Sequence, residues 1–131
     1  PLWDDGTVTL VRQFRPPLGR VTLEVPGGGA DRDADPAVFA ARELAEEVGI
    51  EAAELLPLTT TVAFSGAVDA KIHIFLARGL RAIPSAGRDA HEFVEIVRLP
   101  FAEVYQWVIA GELVDAPLVM ATLLVRARGL A

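Results

Sequence analysis

The chain contains no cysteine, so neither disulfide bonds nor thiolate-ligated metal sites can form. It also lacks any apolar run approaching the roughly 18 residues needed to cross a bilayer, which argues against a membrane protein. Basic residues are scarce, with Lys71 the only lysine, and the formal net charge is −6. Because nucleic-acid binding needs a basic surface, we expect no nucleic-acid partner. The lack of a membrane-spanning run and of cysteine leads us to expect no membrane contact and a cytoplasmic location.

Hydrophobic residues make up 52% of the 131 positions and charged residues 23%, a composition typical of a globular protein. This length suits a single domain with its own core, covering residues 1–131. The chain begins with Pro1 and not with methionine, so we expect an N-terminal segment of the full protein to be missing. The negative charge still permits a small phosphorylated ligand, because metal ions held by carboxylates can bind such anions.

Turn residues and alternating apolar residues predict a mixture of strands and helices. The clearest helix signal is Asp35 as N-cap, followed by Pro36 and ended by Gly49. The predicted strands cover residues 8–14, 20–25, 59–64, 72–77 and 93–99, and the predicted helices cover 36–48, 100 to near 111, and 117 onward. This order predicts one α/β domain with a mixed β-sheet between helices. His73 lies within an apolar strand, and we expect it to pack in the core.

The helix predicted over residues 36–48 separates an apolar face from an acidic one. Its apolar stripe consists of Ala41, Leu44, Ala45 and Val48. At roughly 100° per residue, Glu43, Glu46 and Glu47 fall on the opposite side, within an arc of about 100°. No Lys or Arg stands at i+4 to relieve their mutual repulsion. The cluster is therefore either a solvated helix face or a site for a hard divalent cation, which prefers carboxylate oxygens and water.

The acidic segment has a defined pattern: Arg42-Glu43-Leu44-Ala45-Glu46-Glu47-Val48-Gly49-Ile50, with Gly28 fourteen residues before Arg42. This pattern resembles the signature of the Nudix family. The resemblance implies a Nudix-type αβα sandwich with a mixed β-sheet, and bound Mg²⁺, with Mn²⁺ as an alternative. The metal ligands would be the carbonyl of Gly27 and the side chains of Glu43, Glu46 and Glu47. Gly28, Gly29 and Arg42 would lie against the substrate.

One position departs from the signature. The family has a Glu where this chain has Ala34, and that Glu normally braces the glycine loop against the signature arginine. Asp33 or Asp35 could serve instead.

Outside the signature, the chain resembles the ADP-ribose pyrophosphatase branch of the family. The matching segments are Gln13-Phe14-Arg15, Leu23-Glu24-Val25-Pro26-Gly27, and residues 71–77, 105–107 and 111–113. The resemblance implies that Arg15 and Glu24 bind the substrate, Arg15 through its phosphates, a role suited to a guanidinium fork. The alternative for Arg15 is an ordinary surface arginine at a strand end. Members of this branch are commonly homodimers, so we expect a homodimer. Ser65 and Ala70 replace the Pro and Glu that are usual in the branch, so these positions do not identify the substrate. ADP-ribose is therefore inferred by elimination.

The polar segment 88–92 is similar to a loop that reaches the active site in that branch. Glu92 matches a metal-binding glutamate of the loop, whereas Ala90 stands where the branch keeps its general base. The candidate catalytic residues are therefore Asp89, His91 and Glu92, together with Glu46 on the helix. We favour a carboxylate as the base, because metal-bound water is already acidic and needs only a weak one.

Two functions from different classes fit this sequence. The first is Mg²⁺-dependent hydrolysis of the diphosphate bond in a nucleoside diphosphate linked to a small group, with ADP-ribose giving AMP and ribose 5-phosphate. The second is a catalytically weak module that senses ADP-ribose or a related nucleotide, which the alanines at 34, 70 and 90 favour. The three helix glutamates favour the enzyme, because a binding module has less need of a full metal cluster. In both cases the partner is a small nucleotide.

Overall fold

The computed structural model describes residues 1–29, 35–84 and 94–131. The strands are β1 (Thr7–Arg15), β2 (Arg20–Glu24), β3 (Ile50–Val62), β4 (Lys71–Ala82) and β5 (Val94–Pro100), and the helices are α1 (Pro36–Val48), α2 (Phe101–Ile109) and α3 (Ala116–Ala127). A short 3₁₀ turn over Pro16–Leu18 joins β1 to β2. The α/β class is therefore confirmed. Among the helices in these ranges, none is both long and apolar enough to span a bilayer.

The strands form a three-stranded sheet in the order β2-β1-β5 and a separate β3-β4 pair. Each pairing between the described strands is antiparallel, where the sequence analysis expected a mixed sheet. For the β1–β2 and β3–β4 pairs the reason lies in the short connections, since a parallel neighbour needs a long crossover. Residues 16–19 instead return β2 directly alongside β1, and residues 63–70 return β4 alongside β3.

Two hydrophobic clusters fix the helices on the strands. The larger cluster joins β1, β3, β4, α2 and α3 through buried side chains that include Leu10, Leu58, Leu76, Val104 and Leu118. The smaller cluster lies under α1 and joins Leu44 and Val48 to Val11, Ile50 and Ala77. Helix α1 and the α2/α3 pair therefore pack against different parts of the strands, as in the sandwich implied by the Nudix resemblance.

Helix α1 has the bounds that the sequence predicts. Asp35 Oδ1 accepts a hydrogen bond from the Ala37 amide at 2.8 Å, and Pro36 occupies the first turn. The helix ends at Gly49, whose φ of 65° is accessible to glycine without steric cost. Because Leu44 and Val48 are buried, the orientation of the helix is set, and the acidic side chains are left on its other faces.

Strand β3 differs from its prediction. It begins at Ile50, where the prediction began at residue 59, because pairing with the whole of β4 overrides the weak strand propensity of the alanine- and glutamate-rich segment 51–54. Pro57 lies beside a register shift in the pairing, which accommodates its missing amide hydrogen. The expectation that His73 packs in the core is wrong: the side chain is exposed, and its Nδ1 lies 2.9 Å from the Thr60 hydroxyl on the neighbouring strand.

Candidate active site

The glycine segment after β2 meets the acidic face of α1. The amide of Gly27 donates a hydrogen bond to Glu47 Oε2 at 2.8 Å. A Cβ added to Gly28 would lie 2.5 Å from Glu43 Oε2 and 2.8 Å from its Cδ, so the missing side chain is what lets that carboxylate lie there. Glu43 and Glu47, one helical turn apart, thus both lie against the backbone of the glycine segment, Glu47 at Gly27 and Glu43 at Gly28.

The third glutamate of the signature, Glu46, lies on α1 and is exposed, whereas Glu43 and Glu47 are half-buried. Within residues 1–29, 35–84 and 94–131, no three acidic or histidine side chains converge closely enough to hold an ion by themselves. The donor set nevertheless fits a hard cation, because two carboxylates converge on a glycine segment in which a Cβ added at Gly27 or Gly29 would meet nothing within 4 Å. Mg²⁺ characteristically takes one or two carboxylates and fills its remaining positions with water and substrate oxygens.

A second polar group lies on the β1–β2 hairpin. Gln13 and Thr22 are directly opposed in the β1–β2 register, and alternation places Arg15 and Glu24 on the same face of the hairpin. Arg15 Nε donates to Glu24 Oε1 at 2.7 Å and its Nη2 donates to Oε2 at 2.5 Å, a bidentate ion pair. Gln13 Nε2 and the Thr22 hydroxyl donate to the same carboxylate. These hydrogen bonds, above all those from Arg15, lower the pKa of Glu24, and the bonds between Arg15 and Glu24 raise the pKa of Arg15.

Glu24 is only 7% exposed, yet its charge is well compensated. The family resemblance implies that Arg15 contacts substrate phosphates directly. The structure adds that two of the five guanidinium N–H donors are bound to Glu24, so the orientation of Arg15 is fixed by a buried partner. Three donors remain for a ligand, and Arg15 lines a large cavity.

Asp115 is a site residue that the sequence analysis missed. It is the N-cap of α3, where its Oδ2 accepts a hydrogen bond from the Leu118 amide at 2.9 Å. Asp115 is half-buried and lines the same cavity as Arg15 and Glu24. Burial raises the pKa of Asp115, and the nearby Glu24 carboxylate adds to that rise. The Asp-Ala-Pro pattern before α3 signals a helix start, as Asp35-Pro36 does, but nothing local shows that this helix end meets β1.

A cavity of about 1020 Å³ joins these groups. Its lining includes Arg15, Glu24, Gly28, Gly29, Glu43 and Asp115. Among the described residues that line it, the four carboxylates of Glu24, Glu43, Asp69 and Asp115 outnumber the two cations, Arg15 and Lys71. Because Arg15 is already paired with Glu24, the described part of the lining carries a net negative charge, which disfavours a diphosphate unless positive charge is supplied with it.

The remaining predicted residues have different outcomes. Arg42 lies over the ring of Phe39, with its Cζ 4.6 Å from the ring centroid, and its Nη2 is 3.8 Å from Glu43 Oε1. The predicted catalytic residues Asp89, His91 and Glu92 lie outside the described residues, as do Ala90, Asp33 and Ala34. The structure therefore brings together the glycine segment, two of the three signature glutamates and the Arg15–Glu24 pair, and it adds Asp115.

Comparison with known proteins matches residues 1–120 to the family described as NUDIX domain. The chain belongs to the NUDIX family. It is 34% identical to an ADP-ribose pyrophosphatase of Bacillus subtilis (strain 168), over 86% of this chain and 62% of that protein. It is 36% identical to an ADP-ribose pyrophosphatase of Mycobacterium tuberculosis, over 95% of this chain and 61% of that protein.

Another relative of this NUDIX chain is named for a different role. The methanol dehydrogenase activator of Bacillus methanolicus is 33% identical, over 90% of this chain and 64% of that protein. The NUDIX chain thus spans between 61% and 64% of the length of these three relatives.

Proposed function

We propose that the protein hydrolyses the diphosphate bond of a nucleoside diphosphate linked to a small group, with Mg²⁺ as cofactor and Mn²⁺ as an alternative. The observation that carries the proposal is the charge of the cavity, where described carboxylates outnumber cations two to one beside a glycine segment that contacts Glu43 and Glu47. A diphosphate enters such a cavity only together with cations. A bound cation would thus account for two separate features, the acidic lining of the cavity and the absence of a side chain at Gly28 where the Glu43 carboxylate lies.

Glu43 and Glu47 would hold the metal, and the signature resemblance adds Glu46, the carbonyl of Gly27 and Glu92 as further ligands. The chemistry that Mg²⁺ supplies in such a site is neutralisation of the diphosphate and a lower pKa of a bound water. Arg15 would bind the phosphate oxygens with the donors that Glu24 leaves available, and its paired orientation reduces the entropy lost on binding. A carboxylate or imidazole would accept the proton of the attacking water, and Asp89, His91 and Glu92 stay the predicted candidates.

ADP-ribose is the substrate we favour, with AMP and ribose 5-phosphate as products. Two of the relatives carry the name ADP-ribose pyrophosphatase, and the segments around Arg15 and Glu24 resemble that branch. Homodimer formation and a cytoplasmic location stay predictions from the sequence.

The second candidate, a sensor that binds ADP-ribose without turning it over, is favoured by the alanines at 34, 70 and 90. One relative is named as an activator of methanol dehydrogenase, so the experiment below also tests for binding without turnover.

The deciding experiment measures product formation by chromatography from ADP-ribose, GDP-mannose and dGTP, each with Mg²⁺ and with excess EDTA. We expect turnover of a diphosphate sugar above roughly 1 s⁻¹, an ordinary value for an enzyme, and none in EDTA. Full activity in EDTA would contradict the metal site, and a preference for dGTP would contradict the substrate class. Tight ADP-ribose binding with no turnover would replace the enzyme by the sensor.

A further inference from the structure

Two consecutive contacts on α1 lead from an aromatic ring to a carboxylate in the site, and a third joins that carboxylate to Gly28. Phe39 and Arg42 are three residues apart and share one helix face, so their side chains can stack. The Arg42 Cζ lies 4.6 Å from the centroid of the Phe39 ring. The same guanidinium has its Nη2 3.8 Å from Glu43 Oε1, and Glu43 in turn lies against Gly28.

The distance between Arg42 and Glu43 is informative. A charge-assisted hydrogen bond between nitrogen and a carboxylate is about 2.7–2.9 Å long, so 3.8 Å is attraction without a direct hydrogen bond. The Arg42 side chain is 57% exposed and has several rotatable bonds. A long, exposed arginine next to a carboxylate can close on it, and here the Phe39 ring offers the same guanidinium a second, competing contact.

We propose that Phe39 is a positioning residue for the metal-binding carboxylate of Glu43. Its ring competes with Glu43 for the Arg42 guanidinium, so that the guanidinium lies beside the carboxylate, and biases its position, without forming a direct hydrogen bond to it. Both Phe39 and Glu43 line the cavity, so the ring lies close to the carboxylate that it would position. The inference rests on the proposed function, because it takes Glu43 to be a metal ligand.

Titration calorimetry with Mg²⁺ alone, in the absence of any nucleotide, tests this role. Phe39→Leu keeps an apolar side chain but removes the aromatic face, and we expect it to weaken Mg²⁺ binding by about two- to fivefold, the size expected for one exposed cation–π contact. Phe39→Tyr keeps the face and should restore wild-type affinity. Tyr105→Leu is the matched control, because it removes the ring under Arg126, 5.5 Å away, outside the site.

The double variant separates positioning from packing. In an Arg42→Gln background the ring has no guanidinium to hold, so adding Phe39→Leu should leave the Mg²⁺ affinity of that background unchanged. An equal loss with and without Arg42, or wild-type affinity in Phe39→Leu, would overturn this inference while leaving the proposed function intact. A wild-type protein that binds no Mg²⁺ would overturn both. Urea unfolding of each variant verifies that the compared proteins are folded.

Discussion

The Arg15–Glu24 pair offers a quantitative test of how the site is held. Glu24 is 7% exposed and accepts hydrogen bonds from Arg15, Gln13 and Thr22. Glu24→Gln keeps the shape, removes the charge and weakens every one of these bonds. Breaking a fully buried ion pair costs about 3–5 kcal/mol, but the Arg15 side chain is 47% exposed, so water can solvate it once the charge is gone. We therefore expect a loss of about 1–3 kcal/mol in the free energy of unfolding.

The chain supplies its own control. Arg12 and Glu95 also join β1 to a neighbouring strand, with a contact of 3.1 Å, but their side chains are 46% and 62% exposed. Exposed pairs of this kind contribute about 0.2–1 kcal/mol, so Glu95→Gln should change stability by less than the Glu24 variant does. The two variants make the same chemical change in the same sheet and differ chiefly in burial.

The pH dependence follows from the lowered pKa of Glu24, which its hydrogen bonds with Arg15 chiefly cause. A carboxyl group whose pKa is lower in the folded state stabilises that state at pH values above its unfolded pKa, about 4.3 for glutamate. This contribution is lost as the pH falls through the folded pKa. Urea unfolding at pH 7, and then in steps toward pH 3, should show a gap between wild type and Glu24→Gln that is full at pH 7 and shrinks in acid. Equal effects of the two glutamine variants at pH 7, or a gap that widens in acid, would refute this account.

Three further predictions concern the site. Glu46→Gln and Glu47→Gln should each lower turnover by at least about a hundredfold without unfolding the protein, because each removes a charge from the proposed metal site. Steady-state kinetics measures the turnover, and circular dichroism verifies that each variant is folded. Gly28→Ala should weaken Mg²⁺ binding in calorimetry, because the added Cβ would displace the Glu43 carboxylate. Gly66→Ala is the control and should bind Mg²⁺ as wild type does, because nothing lies within 4 Å of its added Cβ; equal affinities of the two variants would contradict the geometry. Asp115→Asn should be at least as stable to urea at pH 7 as wild type. The pKa of Asp115 is raised in the folded state, so the stability that its uncharged form contributes is fully present below the unfolded pKa and is lost as the pH rises through the folded pKa. Asp115→Ala should lose about 1 kcal/mol because it removes the helix cap, and a destabilised Asp115→Asn would refute the sign.

Local chemistry determined what the sequence alone could show. Helix α1 has its predicted bounds because Asp35, Pro36 and Gly49 act on their immediate neighbours, and the Arg42–Ile50 signature needs only the period of that helix to display its glutamates. The composition indicated a globular protein, and the resemblance of the Arg42–Ile50 pattern indicated the Nudix family, which the match over residues 1–120 confirms.

Tertiary structure decided the features that depend on partners distant in the chain. Strand β3 begins at Ile50 because β4 pairs with it along its whole length, a contact between segments of which the first carries little strand signal. Arg15 becomes a fixed residue because the hairpin places Glu24 on the same face, and Asp115 joins the cavity because α3 packs its N-terminal end near β1 and β2. Hydrogen bonds and packing between distant residues leave no mark within a short window of sequence, so these parts of the site appear only once the chain is folded.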